Sequence, residues 1–231
     1  MTPSIIGHTT TGFSSGSGST FSVDPSSNVV GSSVAVGDWI LIVVSSDNNI
    51  AGSKTPTPPD GWVTITPWAS VGSGFFTFGV WAHRRASGES TYTWSQTTIE
   101  STGSYHRMIF VRNGGDIGEW VIGSFVNRAV NASSTTTVAN AVTTTLPYGL
   151  GIALSGERTT AAESDGQISC TNFTKEWFDN VQDHSLTVAS AILATPGSAG
   201  SVTFTYPNTQ AENGIAGMIA IPSLPPAAWL M

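Results

Sequence analysis

Residues 37–46 read GDWILIVVSS, and residues 147–156 read PYGLGIALSG, two similar stretches that lie 110 residues apart. The same offset relates residues 107–112, RMIFVR, to residues 217–222, GMIAIP. An offset of this length exceeds the roughly 20–50 residues of a solenoid repeat, so it indicates that a whole β-unit is duplicated. The repeat therefore predicts an architecture, and it leaves the function open.

The apolar patterns of the chain are typical of β-strands. Residues 39–44 form a continuous apolar run, which indicates a strand that is buried on both faces or lies in a sandwich core. Residues 91–95, TYTWS, and residues 202–206, VTFTY, alternate between the two faces of a strand. With about six or seven strands per repeat, we predict an all-β fold, a duplicated antiparallel β-sandwich of the jelly-roll or immunoglobulin-like type.

The repeat divides the chain into three predicted segments. Repeat 1 covers residues 1–116, repeat 2 covers residues 117–222, and an apolar C-terminal tail covers residues 223–231. The junction NGGDIG at residues 113–118 is a short turn, which leaves no length for independent domain motion. We expect the halves to pack closely, either as two small sandwiches in tandem or as one larger sandwich with a pseudo-two-fold.

Composition excludes several classes of function. The net charge is −7 with only 8 Lys and Arg, which argues against binding to nucleic acid or to an anionic membrane surface. The single cysteine, Cys170, excludes an intrachain disulfide framework. The N-terminus has no signal-peptide pattern, and no stretch approaches the roughly 20 apolar residues of a membrane span. We therefore expect synthesis in a cytoplasm and no insertion into a membrane.

Motifs that carry chemistry are not found in the sequence. The 4 histidines lack the spacing of metal ligands, and no Gly-x-Ser-x-Gly nucleophile motif is present. Glycoside hydrolysis needs two carboxyl groups that face each other, and nothing in the sequence brings two acids together. We therefore predict no catalytic residue, no metal and no cofactor.

Two tryptophans and two arginines are candidates for interaction. Trp62 and Trp68 flank a proline-rich loop, where exposed indoles stack on sugar rings or form interface hot spots. The alternative for both is that they anchor the loop in the core. Arg84 and Arg85 end a strand and are candidates to pair with acids across an interface, whereas a solvated edge charge is the alternative.

The apolar tail supplies a third set of candidates. It leaves the last predicted strand through prolines and contains Leu224, Trp229 and Leu230. Nothing after Trp229 is available to bury it locally. We therefore predict that these three residues contact another protein.

Several motifs of the first repeat together resemble a known family. They are GD at residues 37–38, SSD at 45–47, PPDGW at 58–62, RRA at 84–86 and GESTYTW at 88–94. The arrangement is similar to that of the minor tail proteins, β-rich structural proteins encoded by tailed phages of actinobacteria. The second repeat carries the same frame more loosely, with VTF at residues 202–204.

The resemblance implies a non-enzymatic structural protein of the virion, in the tail or tail tip. It implies contacts with other virion proteins and with further copies of the same chain, because phage assemblies use symmetric copies. Two alternatives remain open. One is a decoration protein on the capsid, and the other is a carbohydrate-binding module for host cell-wall glycan, with Trp62 or Trp68 as the stacking platform.

Overall fold

A computed structural model of the chain describes residues 1–10, 12–14, 20–47, 56–71, 76–96, 104–128, 134–147, 149–158, 163–181, 184–210 and 214–224. These residues form 21 strands and two single-turn 3-10 helices, and they contain no α-helix. All the strand pairings within them are antiparallel. The predicted all-β class is thus confirmed.

The first half of the chain contributes ten strands. They are β1 (Ser4–Thr9), β2 (Gly12–Ser14), β3 (Thr20–Val23), β4 (Val29–Gly31), β5 (Trp39–Asp47), β6 (Pro56–Thr57), β7 (Val63–Val71), β8 (Phe76–Arg84), β9 (Tyr92–Gln96) and β10 (Ser104–Arg112). A large sheet has the order β4-β1-β10-β5-β8-β7, with β2 also paired to β10, and a small sheet has the order β3-β9-β6.

The second half contributes eleven strands and both 3-10 helices. The strands are β11 (Val121–Ile122), β12 (Val126–Arg128), β13 (Ser134–Ala139), β14 (Thr143–Thr144), β15 (Gly149–Arg158), β16 (Ser169–Cys170), β17 (Thr174–Val181), β18 (His184–Leu193), β19 (Gly197–Ser198), β20 (Val202–Gln210) and β21 (Gly214–Ile221). The 3-10 helices are Ile117–Glu119 and Asp165–Gln167.

The two halves have similar sheet orders, although β4 of the first large sheet has no counterpart among the described strands of the second. The second large sheet has the order β11-β21-β15-β18-β17, with β12 also paired to β21. In both large sheets the central pair is the strand that carries the repeated apolar run and the last strand of that half, β5 with β10 and β15 with β21. A small sheet, β13-β20-β16, corresponds to β3-β9-β6, and β14 pairs with β19 separately.

Alternate residues of β5 face two different cores, which explains its uninterrupted apolar run. One set belongs to a core shared by the two large sheets: Trp39, Leu41 and Val43. The other set belongs to a core between the first large sheet and its small sheet: Ile40, Ile42 and Val44. Because both faces are covered, every side chain from 39 to 44 must be apolar.

The second half repeats this two-sided burial. Leu150, Ile152 and Leu154 of β15 join the core between the large sheets. Ala153 lies on the opposite face, in a core with β13 and β20. The three cores therefore lie between the two large sheets and between each large sheet and the three-stranded sheet of its own half.

The junction between the halves is held by two tryptophans. The Nε1 of Trp39 donates to the carbonyl oxygens of Gly114 and Gly115 at 3.3 and 3.1 Å, and the Nε1 of Trp120 donates to that of Gly115 at 3.2 Å. The two indole rings meet edge to face at a centroid distance of 5.0 Å. Indole N–H groups that are buried need such acceptors, so the turn is fixed against the central core.

The described residues include no helix of the length and apolar character needed to cross a membrane.

Candidate functional site

Trp62 anchors the proline-rich loop in the core of the first half. Its side chain lies in the cluster between the large and small sheets, and the residue is only 8% exposed. The indole stacks on His83 at 5.1 Å and meets Tyr92 and Trp94 edge to face at 5.1 and 5.3 Å. Such a ring presents little face to a sugar, so the geometry favours the anchoring alternative over the stacking platform.

Glu89 organises the turn next to this tryptophan. Its carboxylate accepts hydrogen bonds from the backbone N–H of Ala86 at 2.7 Å, from the Tyr92 hydroxyl at 3.0 Å and from the Nε2 of His83 at 2.9 Å. The Nδ1 of His83 lies 3.1 Å from the carbonyl oxygen of Gly61. Both ring nitrogens of His83 therefore lie within hydrogen-bond distance of an oxygen atom.

The ionisation of this group follows from the same contacts. Burial raises the pKa of Glu89, but the hydrogen bonds from Ala86, His83 and Tyr92 outweigh it, and the net pKa is lowered. Burial and the Glu89 carboxylate raise the pKa of Tyr92. Near neutral pH the Glu89 carboxylate is therefore ionised and accepts a hydrogen bond from the neutral Tyr92 hydroxyl. These ionisation states stabilise the turn.

Arg84 and Arg85 bind backbone groups of their own chain. Arg85 donates through its terminal nitrogens to the carbonyl oxygens of Val34 and Glu89, the latter at 3.3 Å. Arg84 is exposed, and its Nε donates to the carbonyl oxygen of Gly37 at 3.0 Å. These contacts tie the loop before β5 to the turn after β8. Arg85 therefore has partners within its own chain, and its predicted contact across an interface stays a prediction.

Asp38 completes this end of the molecule. Its carboxylate pairs with Arg112 at 2.9 Å and accepts the backbone N–H of Ala35 at 2.9 Å. Gly37, just before it, has a φ of 89°, a conformation that glycine adopts without strain. We call the group formed by Asp38, Trp62, His83, Arg85 and Glu89 the motif scaffold, since all its members except His83 come from the motifs that carry the resemblance.

The replacement of Glu89 by alanine tests the motif scaffold. The change leaves the N–H of Ala86, the hydroxyl of Tyr92 and the Nε2 of His83 without their described acceptor. We expect the free energy of unfolding to fall by about 1–3 kcal/mol, the cost of an unsatisfied buried donor. Chemical denaturation followed by tryptophan fluorescence measures the change, because Trp62 and Trp94 lie beside the site.

Glu119 gives the matched control for this variant. It is an exposed glutamate on the first 3-10 helix, and its replacement by alanine is expected to change the free energy of unfolding by no more than about 0.5 kcal/mol. Equal effects of the two substitutions would show that Glu89 does not hold the turn.

The other candidate residues are only partly described. Trp68 belongs to β7, but its side chain lies outside the described residues, as do Trp229 and Leu230. Leu224 is half-buried, and its backbone N–H donates to the carbonyl oxygen of Asn113 at 3.1 Å. The beginning of the predicted tail is therefore attached to the junction between the halves.

A polar cluster at the other end of the central core was not predicted from the sequence. Arg107 of β10 forms an ion pair with Asp179 of β17, across the two large sheets. His184 of β18 lies with its Nδ1 3.2 Å from the Ser45 hydroxyl and stacks on Tyr105 at 4.1 Å. We call these five residues the inter-sheet cluster.

The inter-sheet cluster has little room for a ligand. The cavity that it lines has a volume of about 20 Å³, enough for about one water molecule. Burial and the charge of Arg158 lower the pKa of His184 to about 3, so the ring is neutral at physiological pH. Within the described residues, no group of three or more His, Cys, Asp or Glu side chains could hold a metal ion. The cluster thus serves to join the two sheets.

No protein-family model matches the chain, and no curated protein matches it.

Proposed function

We propose that the chain is a non-enzymatic structural protein of a phage virion, a minor tail or tail-tip component. One observation carries the proposal: four of the five motifs that resemble the minor tail proteins contribute residues to the motif scaffold. Trp62 stacks on His83, the Nε2 of His83 lies 2.9 Å from the Glu89 carboxylate, and Arg85 donates to the carbonyl oxygen of Glu89. Residues that stabilise a rigid body in this way suit a protein whose task is to occupy a place in an assembly.

We further infer that the chain is a duplicated antiparallel β-sandwich. The support is the strand correspondence between the two large sheets and between the two three-stranded sheets. In this interpretation each half is a sandwich of one large and one small sheet, and the large sheets pack back to back. Since the central core joins the halves, they would act as one body that presents loops at its ends.

The proposed partners are other virion proteins and further copies of this chain. If several copies form a closed symmetric ring or occupy equivalent positions in the virion, every copy would use the same surface for its contacts. The low charge of the chain, 10% Asp, Glu, Lys and Arg, is compatible with surfaces that partners cover. The predicted contact through Leu224, Trp229 and Leu230 remains part of this proposal.

Localisation on phage particles tests the proposal directly. Antibodies raised against the purified chain are applied to intact particles of the phage whose genome encodes it, and gold labelling is viewed by electron microscopy. We expect label at the tail or its tip. Label distributed over the head would instead identify a capsid decoration protein, and particles without label, even after mild disruption, would reject the virion proposal.

A further inference from the structure

A polar groove in the first half has no role in the motif scaffold. It has a cavity volume of about 200 Å³ and opens between β1, β3 and β10. Its exposed lining residues carry hydroxyl or amide groups: Thr10, Ser22, Ser27 and Asn28. Val23 and Met108 are its buried apolar members. We call this site the β3 groove.

The wall of the β3 groove is held in place before any ligand arrives. Oδ1 of Asp24 accepts hydrogen bonds from the backbone N–H and the hydroxyl of Ser26, at 2.8 and 2.6 Å. The carbonyl oxygen of Asn28 accepts the N–H of Thr10 at 2.9 Å, which fastens the turn to the end of β1. A preformed wall lowers the entropy that a ligand must overcome on binding.

His106 forms part of the inner wall of the groove. Its ring stacks on Phe21 at 5.3 Å, and its buried Nδ1 has no hydrogen-bond partner among the described residues. Burial lowers the pKa of His106 to about 4, so the ring is neutral at physiological pH. A neutral imidazole offers one donor and one acceptor. Gly12 gives it space, because a Cβ there would lie 2.1 Å from its Nε2.

We propose that the β3 groove binds a single neutral sugar ring. Sugar hydroxyls donate and accept hydrogen bonds, and the groove presents both kinds of partner in the hydroxyls of Thr10 and Ser27, the amide of Asn28 and the carboxylate of Asp24. The Asp24 carboxylate and the net charge of −7 disfavour an anion. A cavity of about 200 Å³ is below the roughly 300–1,000 Å³ of sites for larger ligands, which favours one ring over an extended oligosaccharide.

This site differs from the sugar platform expected at Trp62 and Trp68. It lies on the turn after β3, and it uses hydrogen bonds where that platform would use an indole face. Its occupancy is also independent of where the chain sits in a particle, since the groove is formed by one copy. If the virion proposal fails, the proposal for the groove still stands. If the groove binds no sugar, the virion proposal still stands.

Saturation-transfer NMR on the full chain tests the groove. The probes are the methyl glycosides of glucose, galactose, mannose, rhamnose and arabinose, each added singly. We expect transfer to the ring protons of at least one of them, and we expect Thr10→Phe, which places a large side chain in the groove, to abolish it. Absence of transfer from all five probes, or unchanged transfer with Thr10→Phe, would overturn the proposal.

Replacement of Asn28 by glycine tests the groove, and the same replacement at Asn113 is a matched control. Its φ is 54°, so glycine adopts its backbone conformation freely while the amide is lost. Asn28→Gly is expected to weaken binding about 5–10-fold, as the loss of one hydrogen bond would. Asn113→Gly makes the same change at a φ of 60° at the junction, outside the groove, and should bind as the unaltered chain does. Equal affinity of the two variants would exclude Asn28 and with it the groove.

Discussion

Replacement of Phe78 by alanine is expected to lower the free energy of unfolding by about 3–5 kcal/mol, the usual cost of removing a buried phenylalanine. Phe78 is 1% exposed and lies on β8 in the core between the two large sheets. Its ring occupies the space beside Gly156 on β15, where a Cβ would lie 2.6 Å from the ring. The phenylalanine of one half thus fills the position that the glycine of the other half leaves open, and alanine would leave a cavity there.

The same variant tests whether the halves unfold together. Because Phe78 belongs to a core that both large sheets share, its loss should lower the stability of the whole chain, and denaturation should remain a single cooperative transition. The measurement is guanidinium unfolding followed in parallel by tryptophan fluorescence and far-ultraviolet circular dichroism. The control is Ile192→Ala, an exposed position on β18, which should cost no more than about 0.5 kcal/mol.

Two transitions, one of them at the midpoint of the unaltered chain, would contradict this prediction. That result would mean that the second half is stable without the central core. The matched strand orders would then describe two independent units that happen to touch.

Local patterns were sufficient to predict the parts of the fold that depend on local chemistry. The apolar run of β5 indicated burial on both faces, and the structure shows the two cores that cover Leu41 and Ile42. The alternation at Tyr92 and Trp94 likewise indicated a one-sided strand, and both rings are buried in the small-sheet core. In each case the burial could be predicted from the side chains of a single strand, because successive residues of a strand point to opposite faces of the sheet.

The inter-sheet cluster could not be predicted in this way. Arg107 and Asp179 are far apart in sequence and meet only because the two large sheets pack face to face. The β3 groove has the same origin, because Thr10, Asn28 and His106 come together through the pairing of β1 with β4 and β10. A single sequence gives no signal for contacts between sheets, and the layer order that creates them depends on the whole chain.

Acidification from pH 7 to pH 5 is expected to lower the free energy of unfolding by about 4 kcal/mol. The pKa of His184 is lowered to about 3 by burial and by the charge of Arg158, and burial lowers that of His106 to about 4. Both pKa values lie below the ordinary value of 6.5. Between pH 6.5 and these values the unfolded chain therefore binds more protons than the folded chain does. The stabilisation is complete above pH 6.5 and is lost as the pH falls towards the folded values, at about 2 kcal/mol for each ring at pH 5.

The surroundings of the two rings explain why the folded state cannot take up these protons. His184 faces Tyr105, Phe76 and the Ser45 hydroxyl, with Arg158 nearby and the Arg107–Asp179 ion pair in the same cavity lining. A charge on this ring would add a cation to a site that already holds two arginines. His106 stacks on Phe21, so a charge there would lose its hydration without gaining a counter-ion.

The experiment compares unfolding at pH 7 and pH 5 for the unaltered chain and for His184→Gln, at constant ionic strength. Most carboxylates stay ionised in this interval, so the histidines dominate the change. The glutamine variant should start less stable at pH 7, because it lacks the stack on Tyr105, but on acidification it should lose about 2 kcal/mol less than the unaltered chain. A variant with the full acid sensitivity of the unaltered chain would show that His184 is not buried as a neutral ring between the sheets, and the face-to-face packing of the two large sheets would have to be revised.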